Sequence, residues 1–326
     1  MDWSHFGLDR QPFRAAVDPD SYYSSPSHEA ALAAIASAFA RRDSVVFVDG
    51  PAGVGKSLVA RKWLEHLLAE VPRVLVPNAH AERPVELLQA ILFDLAKPYQ
   101  GLSEQELRLA ATDHLLQSAA ATGYPMVVVL DEAQHLSQMA FEELRLLGNL
   151  ETRAGSAIFV LLVAQPQLRD TIRQPGYELL AQRIAAYAAI EPLTLDQSAD
   201  YLRHQLRAAG GEADGILDAE AISLISEACG GIPRLLNRAA VLALELAAGA
   251  EAKTADTEAA LEALAQLSLS VETSESGGAE PVLLPHPSRA AEPAMSRREK
   301  AATDAGQDEG AGKRGPKEKS ARKRSA

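Results

Sequence analysis

The stretch GPAGVGKS, residues 50–57, limits the possible folds of this chain more than any other stretch. It fits the pattern GxxxxGK[ST] and lies directly between an apolar run, SVVFVD at 44–49, and a helical pattern. Glycines at such a turn let successive backbone N–H groups surround phosphate oxygens, at a helix N-terminus whose dipole favours anions. The stretch therefore predicts a loop that binds the phosphates of a nucleotide, and a chance glycine-rich turn is the alternative.

The loop pattern predicts roles for individual residues. The Lys56 ammonium can reach the β- and γ-phosphates of ATP, and the Ser57 hydroxyl can take a coordination position of Mg²⁺. ATP and Mg²⁺ are thus the expected cofactors. We expect the nucleotide to be bound by the loop and the start of its helix, namely Gly50, Pro51, Ala52, Gly53, Val54, Gly55, Lys56, Ser57 and Leu58.

Short apolar runs alternate with helical patterns over the first part of the chain. Runs of this length, rich in Val and Ile, are typical of strands buried on both faces, and the alternation predicts a parallel sheet with helices on both sides. The fold class expected is a three-layer α/β phosphate-loop core with five parallel strands. The strands are predicted at 44–49, 73–77, 126–131 and 158–164, with a weaker fifth at 186–193.

The remaining chain divides into two further parts. Four helical patterns follow residue 193 and predict a small all-helical domain, or lid, at 194–268 after a core at 1–193 whose N-terminal anchor is 1–27. From 269 to 326 the sequence is rich in Ser, Glu, Gly, Pro, Ala and Lys and ends in basic clusters. Such a segment buries too little apolar surface to offset its ordering entropy, so we expect a disordered, terminally basic tail.

Composition excludes some classes of protein. The net charge of −12 argues against a body that coats nucleic acid. The single cysteine, Cys229, cannot form an intrachain disulfide and is expected to be a small packed residue. No signal peptide and no membrane span are evident, so a cytoplasmic protein is expected.

Two carboxylates follow the third predicted strand, in MVVVLDEAQHL at 126–136. The carboxyl end of a buried parallel strand is where open α/β sheets bind ligands. Asp131 is expected to hold Mg²⁺, directly or through water, and Glu132 to polarise the attacking water. An acidic strand end without function is the alternative, and the neighbouring His135 is expected to be a solvated residue.

The fourth predicted strand ends in Gln165, within IFVLLVAQPQLRD at 158–170. If this strand lies between the phosphate-loop strand and the strand that ends at Asp131, Gln165 projects near the γ-phosphate. There it can orient water and report the state of the nucleotide, and a plain polar residue at a strand end is the alternative.

The order of these motifs resembles that of AAA+ ATPases, and more narrowly the ATPase domain of the general secretion pathway protein A family. The resemblance covers roughly residues 3–265. It is carried in order by HFGLDRQPF, DPDSYYSSPSHEAAL, GPAGVGKS, VVLDEAQHLS, FEELRLLGNLET, VAQPQLRD, LAQRIAAYAAIEPL and GGIPRLLNRA.

The resemblance implies roles for three residues. Gln165 matches the sensor-1 position, Arg183 the arginine finger that reaches a neighbouring subunit's γ-phosphate, and Arg234 the sensor-2 position on the lid. Arginine suits phosphate because it stays charged and offers a fork of donors. Arg153, Arg169 and Arg173 are rival fingers. The resemblance also implies that the N-terminal segment packs near the adenine, through His5, Phe6, Gly7, Pro12 and Phe13.

The chain departs from the family pattern after this domain. Full-length members continue into a membrane span and a cell-wall-binding part, whereas here the tail follows. We therefore expect an ATPase that forms a ring or arc of identical subunits and drives a protein partner, in secretion-type or DNA-linked machinery. The alternative is a DNA-associated, ATP-dependent binding switch with little turnover, which touches DNA through the basic tail. A small-molecule or nucleotide kinase is a third, weaker hypothesis.

The stretch GGIPR, residues 230–234, interrupts the helical region. Gly230 and Gly231 are expected to end one helix in conformations that glycine adopts easily, and Pro233 to begin the next helix, where its missing N–H costs nothing. We expect this junction to direct Arg234 toward the phosphates.

Overall fold

The computed structural model describes residues 2–14, 21–153 and 155–269. These residues belong to one compact unit. The tail predicted to be disordered lies, from residue 270 onward, outside the described residues. Among the helices of the described ranges, none is both long and apolar enough to cross a membrane.

A five-stranded sheet forms the centre of the core, in the order β2-β3-β6-β1-β7. Every neighbouring pair in this sheet is parallel, which confirms the predicted fold class. A two-stranded antiparallel ribbon, β4-β5, lies apart from it. The strands within the described residues are β1 (Val45–Asp49), β2 (Arg73–Val76), β3 (Met126–Leu130), β4 (Glu151–Thr152), β5 (Gly155–Ser156), β6 (Ile158–Ala164) and β7 (Ile184–Ala189).

The weakest predicted strand differs most from the structure. It was expected at 186–193, whereas β7 begins at Ile184 and ends at Ala189. Because β7 is at the sheet edge, its residues alternate between buried and more exposed positions and lack the continuous apolar run of the central strands. Pairing ends soon after the bond from Ile190 N–H to the Asp49 carbonyl, since Pro192 has no N–H to donate.

Helices cover both faces of the sheet and complete the three layers. Alternate residues of β1 point to opposite faces: Phe47 packs in the cluster that contains Leu115, and Val46 in the cluster that contains Ile35. The helices of the core are α1 (Pro26–Ala40), α2 (Lys56–His66), α3 (Pro84–Asp94), α4 (Glu104–Thr122), α5 (Gln138–Leu147), α6 (Gln167–Ile172) and α7 (Glu178–Ala181).

The helix α4 was not among the helical patterns recognised in the sequence. It buries a narrow stripe of one residue every four positions, Leu107, Ala111, Leu115 and Ala119, two of them small. Its start nevertheless carries a local signal, because the Ser103 and Glu106 side chains form a reciprocal capping box.

Five helices follow the sheet and form the helical region. The four predicted helices are present, and one additional short helix, α9, lies between the first two. They are α8 (Leu195–Ala208), α9 (Ala213–Ile216), α10 (Ala219–Ala228), α11 (Pro233–Gly249) and α12 (Thr257–Gln266). The N-terminal residues Phe6, Leu8 and Phe13 pack in the hydrophobic cluster of these helices.

The junction between α10 and α11 has the predicted conformation. Gly230 and Gly231 have φ angles of 55° and 72°, and Pro233 begins α11. A Cβ built on Gly231 would lie 1.9 Å from the Leu193 carbonyl oxygen, so only glycine fits there. Cys229 is buried, as expected of a packed residue.

Candidate nucleotide-binding site

The phosphate loop joins β1 to α2 and depends on glycine at two positions. Gly53 and Gly55 have φ angles of 88° and 104°, in a region that L side chains rarely adopt. A Cβ on Gly53 would lie 2.9 Å from the Arg234 Cβ, and a Cβ on Gly55 would lie 2.9 Å from the His28 Nε2. The loop therefore lies against α11 on one side and α1 on the other.

Lys56 is buried at the start of α2, and its ammonium bonds back to the loop. Its Nζ donates to the carbonyl oxygens of Gly50 and Pro51, each at 2.9 Å. Burial lowers the pKa of Lys56, and the carboxylates of Glu132 and Asp131 act in the opposite direction. An ammonium that is held at the loop by carbonyls can exchange those partners for phosphate oxygens.

Asp131 directly follows β3 and is buried beside the loop. Its carboxylate accepts from the Ser57 side chain and, at 3.0 Å, from the Glu132 N–H. Burial raises the pKa of Asp131, whereas these two hydrogen bonds lower it.

The residues present fit Mg²⁺ bound together with a nucleotide. Mg²⁺ is usually held by one or two carboxylates together with phosphates and waters, and Ser57 and Asp131 supply a hydroxyl and a carboxylate in contact. Within the described ranges no group of three or more His, Cys, Asp or Glu residues could hold a metal ion by itself. Phosphate oxygens and waters would therefore supply the other ligands.

Glu132 follows Asp131 and lines the cavity beside the loop. Its backbone is left-handed, with φ at 57°, which is uncommon for a residue other than glycine. Its Oε2 accepts from Gln134 Nε2 at 2.5 Å, and Gln134 Oε1 accepts from the Gln165 backbone N–H at 3.2 Å. Gln134, which the sequence did not single out, thus joins Glu132 to the end of β6.

The strand order meets the condition set for Gln165. β6 lies between β1 and β3. Gln165 therefore follows the central strand, at the same carboxyl end of the sheet as the phosphate loop. The Gln165 side chain is not among those that line the cavity.

The cavity has a volume of about 600 Å³, within the usual range for small-molecule sites. Its polar end is formed by the loop from Ala52 to Leu58, with Glu132 and Arg234. Gly50, Pro51 and Asp131 are not part of this lining, but Gly50 and Pro51 accept hydrogen bonds from Lys56 and Asp131 accepts one from Ser57. The rest of the lining combines polar residues, among them Gln205, Asn237 and Glu245, with the apolar and aromatic residues Phe13, Tyr23, Leu193, Tyr201, Val241, Leu242 and Leu267.

The N-terminal segment reaches this cavity through one of the five residues expected near adenine. Phe13 lines the cavity, and Phe6 and Pro12 are buried. His5 lies away from the cavity, with its Nε2 2.7 Å from the Ala252 carbonyl oxygen, and Gly7 ends the first helical turn at φ 67°. Residues 2–14 therefore pack on the helical region and contribute Phe13 to the cavity lining.

Arg183 and the phosphate loop lie at opposite ends of the parallel strands. β7 is parallel to β1, and Arg183 precedes its first residue, whereas the loop follows the last residue of β1. Its Nη1 donates to the Gly148 carbonyl at 3.0 Å, and its Nη2 to the Asn149 side chain. With a rise of about 3.3 Å per residue, the length of the strand separates it from the loop of its own chain.

The rival arginines differ in their contacts. Arg169 donates to Asp49 at 2.5 Å and lies over the Tyr187 ring at 5.3 Å, so its guanidinium, like that of Arg183, already has partners within the chain. Arg173 is exposed and pairs with Asp170, and Arg153 is exposed beside the β4-β5 ribbon.

Comparison with known proteins identifies relatives of this chain. Residues 40–172 match the AAA domain family. The chain is 37% identical over 236 residues to general secretion pathway protein A of Aeromonas hydrophila, an alignment that covers 71% of this chain and 42% of the relative. The chain thus spans less than half the length of that relative.

Solved structures share the fold at low sequence identity. The ORC2 protein of Aeropyrum pernix in its ADPNP–ADP complexes has a TM-score of 0.61 at 18% identity, covering 83% of this chain and 74% of that one. Cdc6p of Pyrobaculum aerophilum has a TM-score of 0.63 at 19% identity, covering 85% and 73%. The RuvB Holliday junction branch migration motor of Thermotoga maritima has a TM-score of 0.53 at 17% identity, covering 78% and 73%. The chain is an AAA-domain protein related to general secretion pathway protein A.

Proposed function

We propose that this protein binds and hydrolyses ATP and uses the cycle to move or assemble a partner. The observation that carries the proposal is that Lys56, Ser57 and Glu132 line one cavity, with Glu132 held by Gln134. A nucleotide-binding module without turnover needs no carboxylate at that position. The aromatic rings of Phe13 and Tyr23 in the cavity lining offer a surface for a base.

The residues around the loop have distinct parts in this reaction. The loop N–H groups and Lys56 bind phosphate oxygens, and Ser57 and Asp131 would hold Mg²⁺, which would supply positive charge beside those oxygens. Glu132 accepts a proton from a water whose oxygen attacks the γ-phosphorus. The bond from that phosphorus to the β–γ bridging oxygen breaks, and ADP and phosphate are released. Gln165 orients the water or reports the γ-phosphate.

We infer that the active form is a ring or arc of identical subunits. Arg183 lies at the end of the strands opposite the phosphate loop, so it can serve only the nucleotide of another copy. In that role it stabilises the charge of the transferring phosphate.

The helical region, proposed as a lid at 194–268 on a core at 1–193, transmits the nucleotide state. Arg234 supports this role because its backbone N–H donates to the Gly53 carbonyl at 3.3 Å while its side chain lines the cavity. A guanidinium that binds phosphate would draw α11 and its neighbours toward the loop. The protein partner that receives this motion is unidentified.

Phosphate release by the purified full-length chain tests the proposal. The parental chain is expected to release phosphate from ATP with Mg²⁺, and Glu132→Gln is expected to bind ATP yet turn over at least about 100-fold more slowly, since it lacks the base. Glu82→Gln is the matched control, because Glu82 follows β2 outside the cavity lining. Normal turnover by Glu132→Gln would refute the proposed role of Glu132 and the hydrolysis argued from it.

A DNA-associated switch is the second candidate. Its support is the basic end of the sequence and a fold similar to that of the Aeropyrum pernix ORC1 protein in complex with DNA, at a TM-score of 0.59 and 21% identity. Duplex DNA titrated into the full-length chain and into a chain ending at residue 269 separates the two candidates. Equal and poor binding by both, with ATP present, would end the case for DNA binding through the tail.

A further inference from the structure

His28 is a buried histidine on the first turn of α1, and the functions described above do not use it. It is 5% exposed and lines the cavity beside the loop. Its ring Nδ1 lies 2.5 Å from Ser25 Oγ, and its ring Nε2 lies 2.9 Å from the Val54 carbonyl oxygen. Both ring nitrogens therefore have partners, one on each side of the ring.

The Val54 contact determines which nitrogen carries the proton. A carbonyl oxygen can only accept, so Nε2 is the donor. In the neutral ring Nδ1 then accepts, and the Ser25 hydroxyl is its donor. Burial lowers the pKa of His28, which favours this neutral ring, although its bond to Val54 acts in the opposite direction.

The bond to Val54 also determines the direction of the next N–H group. The Val54 carbonyl and the Gly55 N–H belong to one planar trans peptide, so they point in opposite directions. With the carbonyl held on His28, the Gly55 N–H points away from the imidazole. The left-handed Gly55 permits this close approach, because a Cβ there would lie 2.9 Å from His28 Nε2.

We propose that His28 is a positioning residue for phosphate binding. By donating from Nε2 to Val54, it keeps the Val54–Gly55 peptide in the orientation in which the Gly55 N–H can bind a phosphate oxygen. Ser25, at the N-cap of α1, holds the ring in the required tautomer and orientation. This inference rests on the nucleotide binding proposed above and adds to it a group that acts through the Val54–Gly55 peptide.

Three variants of the full-length chain test this role: His28→Gln, His28→Asn and His28→Ala. The glutamine amide nitrogen reaches about the position of Nε2 and can donate to Val54, whereas the shorter asparagine amide ends near the position of Nδ1. The readout is the affinity for a fluorescent ADP analogue, with unlabelled ADP and adenosine as competitors. Thermal unfolding without nucleotide shows whether each variant is folded.

The expected result separates positioning from packing. The Kd for ADP should rise about tenfold in His28→Ala and His28→Asn, equivalent to about 1.4 kcal/mol, and stay within about threefold of the parental value in His28→Gln. Competition by adenosine should not change, since adenosine has no phosphate. If His28→Ala does not fold, the comparison of His28→Gln with His28→Asn still tests the Nε2 donor.

Three results would overturn the inference. They are ADP binding by His28→Gln that is as weak as that of His28→Asn, ADP binding by both variants that equals that of the parental chain, and a fall in adenosine affinity as large as the fall in ADP affinity. Failure of the parental chain to bind ADP would instead overturn the proposed function, and this inference with it.

Discussion

Arg234 is bonded to the phosphate loop through its backbone: its N–H donates to the carbonyl oxygen of Gly53, with 3.3 Å between the two atoms. The side chain of the same residue is exposed at the cavity. The first turn of α11 is thus attached to the loop by a bond that no side-chain substitution removes, while its guanidinium stays free to bind a ligand.

Arg234→Ala is expected to leave the fold intact and to weaken the coupling of ATP to the helical region. Losing charge-assisted hydrogen bonds to phosphate, each worth about 1.5–3 kcal/mol, should raise the Kd for ATP at least tenfold. ATP should then no longer compact the chain in small-angle scattering. Arg207→Ala, at an exposed position on α8, is the control. An Arg234→Ala chain that binds ATP and changes shape like the parent would show that the junction is only a turn.

Gly53→Ala is expected to abolish nucleotide binding. The added Cβ would lie 2.9 Å from the Arg234 Cβ at a φ of 88°, so the loop must move. Gly249→Ala is the matched control, because nothing lies within 4 Å of a Cβ there and alanine is the better helix former by about 0.5–1 kcal/mol. Fluorescent ADP binding and thermal unfolding measure both effects, and unchanged affinity in Gly53→Ala would contradict the close approach of α11.

Arg183 is expected to act on a neighbouring subunit. Arg183→Ala and Lys56→Ala should each turn over ATP poorly, the first for lack of a finger and the second for lack of a bound nucleotide. Mixing the two should restore activity, because sites with an intact loop then meet subunits with an intact Arg183. Arg173→Ala in place of Arg183→Ala is the control. If turnover in the mixture stays at the level of the separate variants, Arg183 is not a finger in trans.

The ion pair of Arg108 with Glu143 is expected to matter for stability. The Glu143 side chain is 2% exposed and its carboxylate accepts from Arg108 at 2.7 Å, so Arg108→Met leaves a buried charge without its partner. Because Arg108 is partly exposed, we expect a loss of about 2 kcal/mol, below the 3–5 kcal/mol of fully buried pairs. Urea unfolding measures it. The double variant with Glu143→Leu should recover most of the loss, and no recovery would contradict the electrostatic cause.

Cys229 is expected to be inert in the folded chain. Burial raises the pKa of its thiol from 9.0 to about 12. The thiolate is the reactive form of cysteine. At pH 8 the thiolate fraction of Cys229 is therefore about a thousandfold lower than that of a thiol with the ordinary pKa. Labelling with a thiol reagent should therefore be fast only in denaturant, and rapid labelling of the native chain would contradict the packing of α10.

The sequence by itself determined most of the elements, apart from α4 and α9, and the residues that need a particular backbone. The loop at 50–57 and the junction at Gly230 and Gly231 could be recognised because a positive φ, a missing N–H and a period of apolar residues are local properties. For the same reason the strands of the central sheet matched their predictions closely, while the edge strand β7, with its alternating burial, did not.

Only the tertiary structure decided which of these elements meet. Gln134 joins Glu132 to Gln165, and His28 bonds to Val54 across 26 residues of sequence. Neither contact has a signature in the chain, because each depends on how separate elements pack around the sheet. Long-range packing also places Phe13 at the cavity and Arg183 at the end of the strands away from the loop. Sequence patterns report local geometry, whereas a site is made by the packing of distant elements.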